Sequence, residues 1–244
     1  EESLRVMEHK HPAITMLLNW AETKKLKSTY VDGLLPKLNQ GRLHPSFHLH
    51  RTATGRLSSS DPNLQNIPRD SSIRNLFVAP DGYSMLVADY DQIELRVMAM
   101  FSQDAQLLNV FNNNIDIHAG AAALLFGKSV EDVTSDERQI GKGVNFLTAY
   151  GGGAGKLART TGISFEQAQH MIQEYYRQFS GLTEWKSKVV AQGRKLGYVE
   201  TITGRRRRLP DLNSLNSELK SRAERQAVNA VVQGSAADIC KKAM

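Results

Sequence analysis

The sequence predicts an α+β fold, with a few short strands set apart from many helices. Two observations carry this expectation. Strand-like runs are confined to residues 46–50, 84–89 and 198–202, and most of the chain after residue 92 spaces its apolar residues as helices do. The chain has 244 residues, enough for one large domain or two modest ones sharing a core. Its 41% apolar and 23% charged content is ordinary for a soluble globular protein.

In chain order, Ile14, Leu17, Leu18 and Ala21 keep helical spacing, so the first forty or so residues read as helix with polar breaks. Gly41-Arg42-Leu43-His44-Pro45 is a turn, and Ser46-Phe47-His48-Leu49-His50 alternates like a strand. Residues 52–75 are rich in Ser, Thr, Asn, Asp and Pro and read as an extended loop. Pro80-Asp81-Gly82-Tyr83 forms a turn before Ser84-Met85-Leu86-Val87-Ala88-Asp89, expected as a buried strand that delivers Asp89 to a surface. From Gln92 onward Ile93, Leu95, Val97, Met98 and Met100 turn helical. A further helix is expected from Ser135, as its N-cap, through Tyr150, with Asp136 and Glu137 in its first turn and Gly151-Gly152-Gly153 ending it. Ser164-Phe165-Glu166-Gln167 opens another with a capping box. Tyr198-Val199-Glu200-Thr201-Ile202 is strand-like, with Thr203-Gly204 as the turn of a hairpin. Residues 217–244 form a last helical region.

The net charge is +6, and between Lys186 and Arg208 there are eight Lys or Arg and one acid, Glu200. Such a stretch suits a phosphate backbone or a solvated basic face. No run approaches the roughly eighteen apolar residues needed to span a bilayer. Glu1-Glu2-Ser3-Leu4-Arg5 lacks the basic-to-apolar order of a signal peptide. Cys240, the single cysteine, reads as a small buried hydrophobe and fits a reducing compartment.

Three sets of residues carry candidate chemistry. Asp89, at the end of its expected strand, is either a ligand for a hard cation such as Mg²⁺ or a turn residue. Arg138, Lys142, Phe146 and Tyr150 recur every four residues, ~400° apart, so they share one drifting stripe of a helix. Cations can hold a triphosphate while a ring meets a sugar or base; the competing reading is a helix wet at its ends and buried in its middle. Arg225, Asn229 and Gln233 share another face and are planar hydrogen-bonding groups. They suit the acceptors common to every base pair in a minor groove, or a solvated helix face.

Longer segments then match a known family. Asp89-Tyr90-Asp91-Gln92-Ile93-Glu94-Leu95-Arg96 resembles motif A of family A DNA polymerases, and Arg138-x-x-x-Lys142-x-x-Asn145-Phe146-x-x-x-Tyr150-Gly151 resembles motif B. Thr54-Gly55-Arg56-Leu57-Ser58-Ser59 and Asp61-Pro62-Asn63-Leu64-Gln65-Asn66-Ile67-Pro68 are similar to the primer-template segment before motif A. Asp116-Ile117-His118 and Gln233-Gly234-x-Ala236-Ala237-Asp238 also match. The resemblance covers essentially the whole chain in the family's order, which a lone short motif would not do.

The resemblance implies a right-hand fold with an antiparallel palm sheet and mostly helical fingers. Residues 1–32 would end the thumb, 33–108 would be palm, 109–224 fingers, and 225–244 a return to the palm. It implies a monomeric DNA-templated DNA polymerase of a bacterial cell or phage-infected host, cytoplasmic and without membrane contact, with primer-template DNA and dNTPs as partners. Asp89, with the Tyr90 carbonyl, would bind two Mg²⁺ ions, roughly 3.5–4 Å apart in such sites. Arg138, Lys142 and His118 would hold the triphosphate, with Lys142 also an acid toward pyrophosphate. Phe146 would stack by the sugar, Tyr150 would pack near the templating base, Glu94 would exclude ribonucleotides, and Gln92, counted with the nucleotide site, would lie near the primer end. Arg56, Asn63, Gln65, Arg225, Asn229, Gln233, Lys25 and Lys27 would contact DNA.

Departures from the family pattern are Gln139 for a second Arg, Leu147 for Gly, and Asp91 for Ser. The family's third motif, with its second metal-binding aspartate, is expected beyond Met244, and upstream nuclease domains are expected to be absent from this sequence. Asp238 lies on a helix and reads as structural. A single-subunit RNA polymerase shares the first two motifs, but Glu94 argues against a site that must admit a 2′-hydroxyl. The alternative function is a catalytically incomplete fragment that binds primer-template.

Overall fold

The computed structural model describes residues 2–68 and 71–244, with the side chains of residues 2, 3, 71, 149 and 150 outside that description. Contacts divide the chain into two compact units, residues 1–52 with 57–88 and residues 53–56 with 89–244.

In the first unit, α1 (Glu2–Val6) precedes α2 (Pro12–Leu26), whose start is set by Pro12 at its first position and by His11, which accepts from the Ala13 amide. Strands β1 (Ser46–His48) and β2 (Ser58–Ser60) pair antiparallel, Phe47 opposite Ser59. Residues 52–75 are therefore not all loop: Ser58–Ser60 pairs because β1 supplies the partner, and α3 (Ser71–Arg74) follows.

The expected strand at Ser84–Asp89 does not form. The segment pairs with no strand among the described residues, and Met85, Leu86 and Val87 are 58%, 91% and 79% exposed. An apolar run has the composition of a strand, but strand geometry needs a neighbour to take its backbone hydrogen bonds.

The second unit is built from helices: α4 (Ile93–Ser102), α5 (Ala105–Asn112), α6 (Ile117–Phe126), α7 (Ser135–Tyr150), α8 (Ala154–Thr161), α9 (Phe165–Gln178), α10 (Ser180–Leu196) and α11 (Ser217–Ala243). A hairpin of β3 (Tyr198–Glu200) and β4 (Arg206–Arg208) sits before α11, with Val199 opposite Arg207. Met98, Leu107, Ile117, Leu157, Tyr175, Phe179 and Leu182 form the main core. A second cluster joins Val199, Leu209 and Leu212 to Ala223, Ala227 and Val231 of α11. Phe101 and Trp185, stacked 5.8 Å apart, border both. Cys240 is half-buried rather than buried. Among the described residues no helix is long and apolar enough to cross a membrane.

Caps define most boundaries. Thr134, not Ser135, caps α7, through a reciprocal box with Glu137; the three-residue spacing to the acid selects Thr134. Ser164 makes the expected box with Gln167. Gly151 ends α7 at φ 76°, a left-handed conformation that glycine adopts without strain. Asp104, 3% exposed, caps α5 through the Gln106 and Leu107 amides and also accepts from Leu182 N of α10 at 3.1 Å.

The tightest junction is α6 against α7. The run Ala119-Gly120-Ala121-Ala122-Ala123 gives α6 a shallow face, and Gly141 of α7 lies on it. A methyl at 141 would collide with the His118 carbonyl oxygen and lie 3.0 Å from Ala122 N. Both obstacles are backbone, so Gly141→Ala is expected to destabilise the protein by about 3 kcal/mol in urea unfolding, from forced separation of the two helices. A change within about 0.5 kcal/mol would mean that this junction is loose.

Candidate functional site

The α7 stripe is a surface. Phe146 is 44% exposed and Lys142 is exposed, so the aromatic on the stripe is not a core residue. Gln139, Lys142, Phe146 and Leu147 line an open cavity of about 680 Å³, to which Lys156 and Thr160 of α8 also contribute. Leu147, 6% exposed, fills the core next to this cavity and packs on Gly152, where any side chain would collide with it. The backbone of Tyr150 ends α7; its side chain lies outside the described residues.

Asp116 links the start of α6, and with it His118, to Arg138 of the stripe. The Asp116 carboxylate caps α6, accepting from His118 N and Ala119 N at 2.9 and 2.8 Å, and takes a bond from Arg138 Nη2 at 2.7 Å. Burial works to raise the Asp116 carboxyl, but these bonds and the Arg138 charge outweigh it and hold the group below the ordinary carboxylate range. The His118 ring is buried, with its centroid 5.8 Å from that of Phe146. Burial lowers its pKa; Arg138 and Lys142 push the same way, against Asp116 and Asp91.

Glu94, 9% exposed on the first turn of α4, is ion-paired with Arg56. The backbone of segment 53–56, which carries Arg56, is bonded by an arginine that sequence reasoning missed. The Arg205 guanidinium donates to Thr54 O at 2.8 Å and Gly234 O at 3.1 Å, and bonds Asp238. It lies so close to Gly55 and Gly234 that a Cβ at either would meet it at 2.5 and 2.9 Å. Asp238 also accepts from Thr201 and Thr203, so its structural role is as expected.

Gln92 enters α4 with φ 51°, and its Oε1 is buried without a partner among the described residues. Asn229 has an equally unpaired Oδ1. Orphaned buried acceptors are uncommon and mark a place where a donor is missing. Gln233 is half-buried, and Arg225 is exposed, bonded to Ser221 Oγ at 2.7 Å and lying over Gly151. The α11 face thus touches the end of α7. Lys186 of α10 donates to Thr148 O near the same end, its pKa drawn down to about 8 by burial. No local spacing signals Lys186, which is far from α7 in sequence.

Asp89 and Tyr90 are exposed and lie outside any helix or strand, and Asp91 accepts from Arg96 at 3.3 Å. Among the described residues no three His, Cys, Asp or Glu side chains converge as a metal site. Asn63, Gln65, Lys25 and Lys27 belong to the first unit. There Asn63 caps the turn at 64–66, Gln65 Nε2 donates to Leu57 O, and Lys27 pairs with Asp32.

Comparison with known proteins comes down on one family. Residues 1–244 match DNA polymerase family A. The chain is 45% identical over 235 residues to DNA polymerase I of Pseudomonas aeruginosa, covering 94% of this chain and 26% of that protein. It is 46% identical over 248 residues to the thermostable DNA polymerase I of Thermus caldophilus, covering 99% and 30%. The chain therefore spans under a third of the curated relatives it matches. Its fold is similar to the POL domain of Pol1 from M. smegmatis, solved in complex with DNA primer-template and dNTP, with a TM-score of 0.88 and 42% identity over 98% of this chain and 43% of that one.

The Asp116–Arg138 pair has a pH signature. A carboxyl depressed in the folded state contributes stability above the ordinary Asp range, and that contribution is lost as pH falls through the lower folded value. Asp116→Asn is expected to be less stable than the parent near pH 7, with the gap narrowing in urea titrations as pH falls through and below the ordinary Asp range. A gap that stays constant would mean that the ion pair contributes nothing.

Proposed function

This chain belongs to DNA polymerase family A, and from that premise we propose that it forms the nucleotide-binding surface and part of the primer-template surface of a DNA-templated DNA polymerase. The reaction is attack of a primer 3′-hydroxyl on the α-phosphate of a dNTP, with pyrophosphate leaving. The observation that carries the reading is convergence at one junction: Lys142 and Phe146 line a single cavity, with the His118 ring beside Phe146 and Arg138 paired to the cap of the same helix as His118.

Lys142 and Arg138 hold the triphosphate. The Arg138–Asp116 pair is 44% and 40% exposed, and such surface pairs are worth at most about 1 kcal/mol, so a multiply charged phosphate competes for Arg138 readily. Phe146 stacks at the sugar, and Tyr150 packs by the templating base. Glu94, held rigid by Arg56, rejects the 2′-hydroxyl. Arg225, Asn229 and Gln233, with Gln92, contact the primer end. Asn63, Gln65, Lys25 and Lys27 contact the duplex, and thumb, palm and fingers follow residues 1–32, 33–108 with 225–244, and 109–224.

Family A polymerases depend on metal ions, and Mg²⁺ is the expected one. Asp89 and the Tyr90 carbonyl offer only part of a six-oxygen shell, so the described residues do not fit a two-ion site by themselves.

Lys142→Ala is expected to weaken dNTP binding at least about tenfold, the loss of one charge-assisted bond, while primer-template affinity stays within about twofold. Equilibrium dialysis against labelled dNTP and a fluorescent duplex measures both; equal losses would make Lys142 a DNA contact. In primer extension by a polymerase carrying this chain, Glu94→Ala is expected to raise ribonucleotide incorporation, and unchanged sugar selectivity would defeat the gate. Binding of duplex and nucleotide without any extension would favour the narrower reading, a primer-template binding fragment.

A further inference from the structure

A buried chain of hydrogen bonds runs from α9 through α7 to α6, and elementary chemistry assigns its direction. One end of the Asn145 amide is 3.0 Å from the Ile117 carbonyl oxygen. A carbonyl only accepts, so that end is Nδ2 and it donates. The same Nδ2 is 3.1 Å from His118 Nδ1. A group with only protons to offer needs an acceptor, so Nδ1 carries no proton. The amide's Oδ1 accepts from the Tyr175 hydroxyl at 2.9 Å.

This amide has no freedom to turn. Asn145 is fully buried, Tyr175 is 1% exposed, and both amide protons and the amide oxygen are in use. Tyr175 cannot reverse its bond by ionising, since burial holds its phenol protonated far above the ordinary range. His118 is neutral near pH 7, because burial lowers its pKa; Asp116 opposes this, Arg138 and Lys142 push with it, and Asp91 opposes it more weakly. A neutral imidazole with a bare Nδ1 keeps its proton on Nε2. Among the described residues no hydrogen bond engages His118 Nε2. The ring that carries it lies against Phe146, beside the Lys142 cavity.

We infer that Asn145 and Tyr175 are positioning residues that lock His118 in its Nε2–H tautomer, as a fixed neutral donor to a phosphate oxygen of the bound nucleotide. The choice of ligand rests on the nucleotide reading above; the tautomer does not. The division of labour is physical. Lys142 and Arg138 supply charge, which is non-directional, and His118 supplies one aimed bond that stays the same across neutral pH. An Asn that only tied α6 to α9 would be satisfied by Ile117 O and the Tyr175 hydroxyl, with no need of the imidazole.

The test is nitrogen NMR of this chain with ¹⁵N-labelled histidine, between about pH 5 and about pH 9, a range that spans histidine titration. The expected result is a single Nε2–H tautomer for His118. Tyr175→Phe, which keeps the ring volume, is expected to relax it toward a mixture. Asn145→Asp replaces the donor by an acceptor and is expected to move the proton to Nδ1 and raise the His118 pKa. Inorganic triphosphate, without metal, is the binding probe, and Asn145→Asp and His118→Ala are each expected to bind it roughly tenfold more weakly. An Nδ1–H or mixed tautomer in the parent protein, or a tautomer indifferent to Asn145→Asp, overturns the inference. A tautomer that follows Asn145 while triphosphate affinity is the same in every variant supports the relay and overturns the nucleotide reading.

Discussion

The close approach of α6 and α7 is the constraint on which the rest of the candidate site depends. Gly141 lets the α7 backbone meet the His118 carbonyl, and the alanines of α6 leave room for it. Backbone-to-backbone contact leaves little slack, because neither side has a flexible side chain to give way. The groups proposed to hold the triphosphate and stack at the sugar hang from this junction. His118 and Asp116 stand at the start of α6, and Arg138, Lys142 and Phe146 along α7. A helix pair spaced by larger side chains would hold the same residues with more play.

Charge is handled by pairing and by burial in different places. Asp116 with Arg138, Glu94 with Arg56, and Asp238 with Arg205 bring acids against the arginines near the site. The Asp116–Arg138 pair is 44% and 40% exposed, and a pair so open to solvent contributes little to stability. The Arg205–Asp238 pair is different: Asp238 is 9% exposed and Arg205 also bonds two backbone carbonyls, so it ties segment 53–56 to α11. Lys186 goes without a carboxylate among the described residues. It meets the C-terminal end of α7 instead, where helix carbonyls lack partners and favour a cation.

Legibility in the sequence followed the range of the interactions. The α7 stripe, the Ser164 box, the Gly151 stop and the β3–β4 hairpin were readable because each depends on residues a few positions apart. The Thr134 cap was missed by one residue, since both hydroxyls precede the same acids and only the three-residue spacing to Glu137 separates them. The run at 84–89 misled because its composition is that of a strand, while pairing is decided elsewhere in the chain. Asn145 lay inside a recognised motif yet had no role until Tyr175, thirty residues on, was seen to bond it.

The sequence by itself determined the family, the helical periodicity of the second unit, and which faces carry cations and rings. These follow from residue order and from the fixed geometry of a helix turn. Only the tertiary structure decided that Phe146 is exposed, that Arg138 already has a carboxylate partner, and that Arg205 fastens the Arg56 segment. It also decided which nitrogen of His118 carries the proton. The reason is that burial and hydrogen-bond direction are properties of neighbours brought together by folding, and no spacing along the chain encodes which donor will face which acceptor.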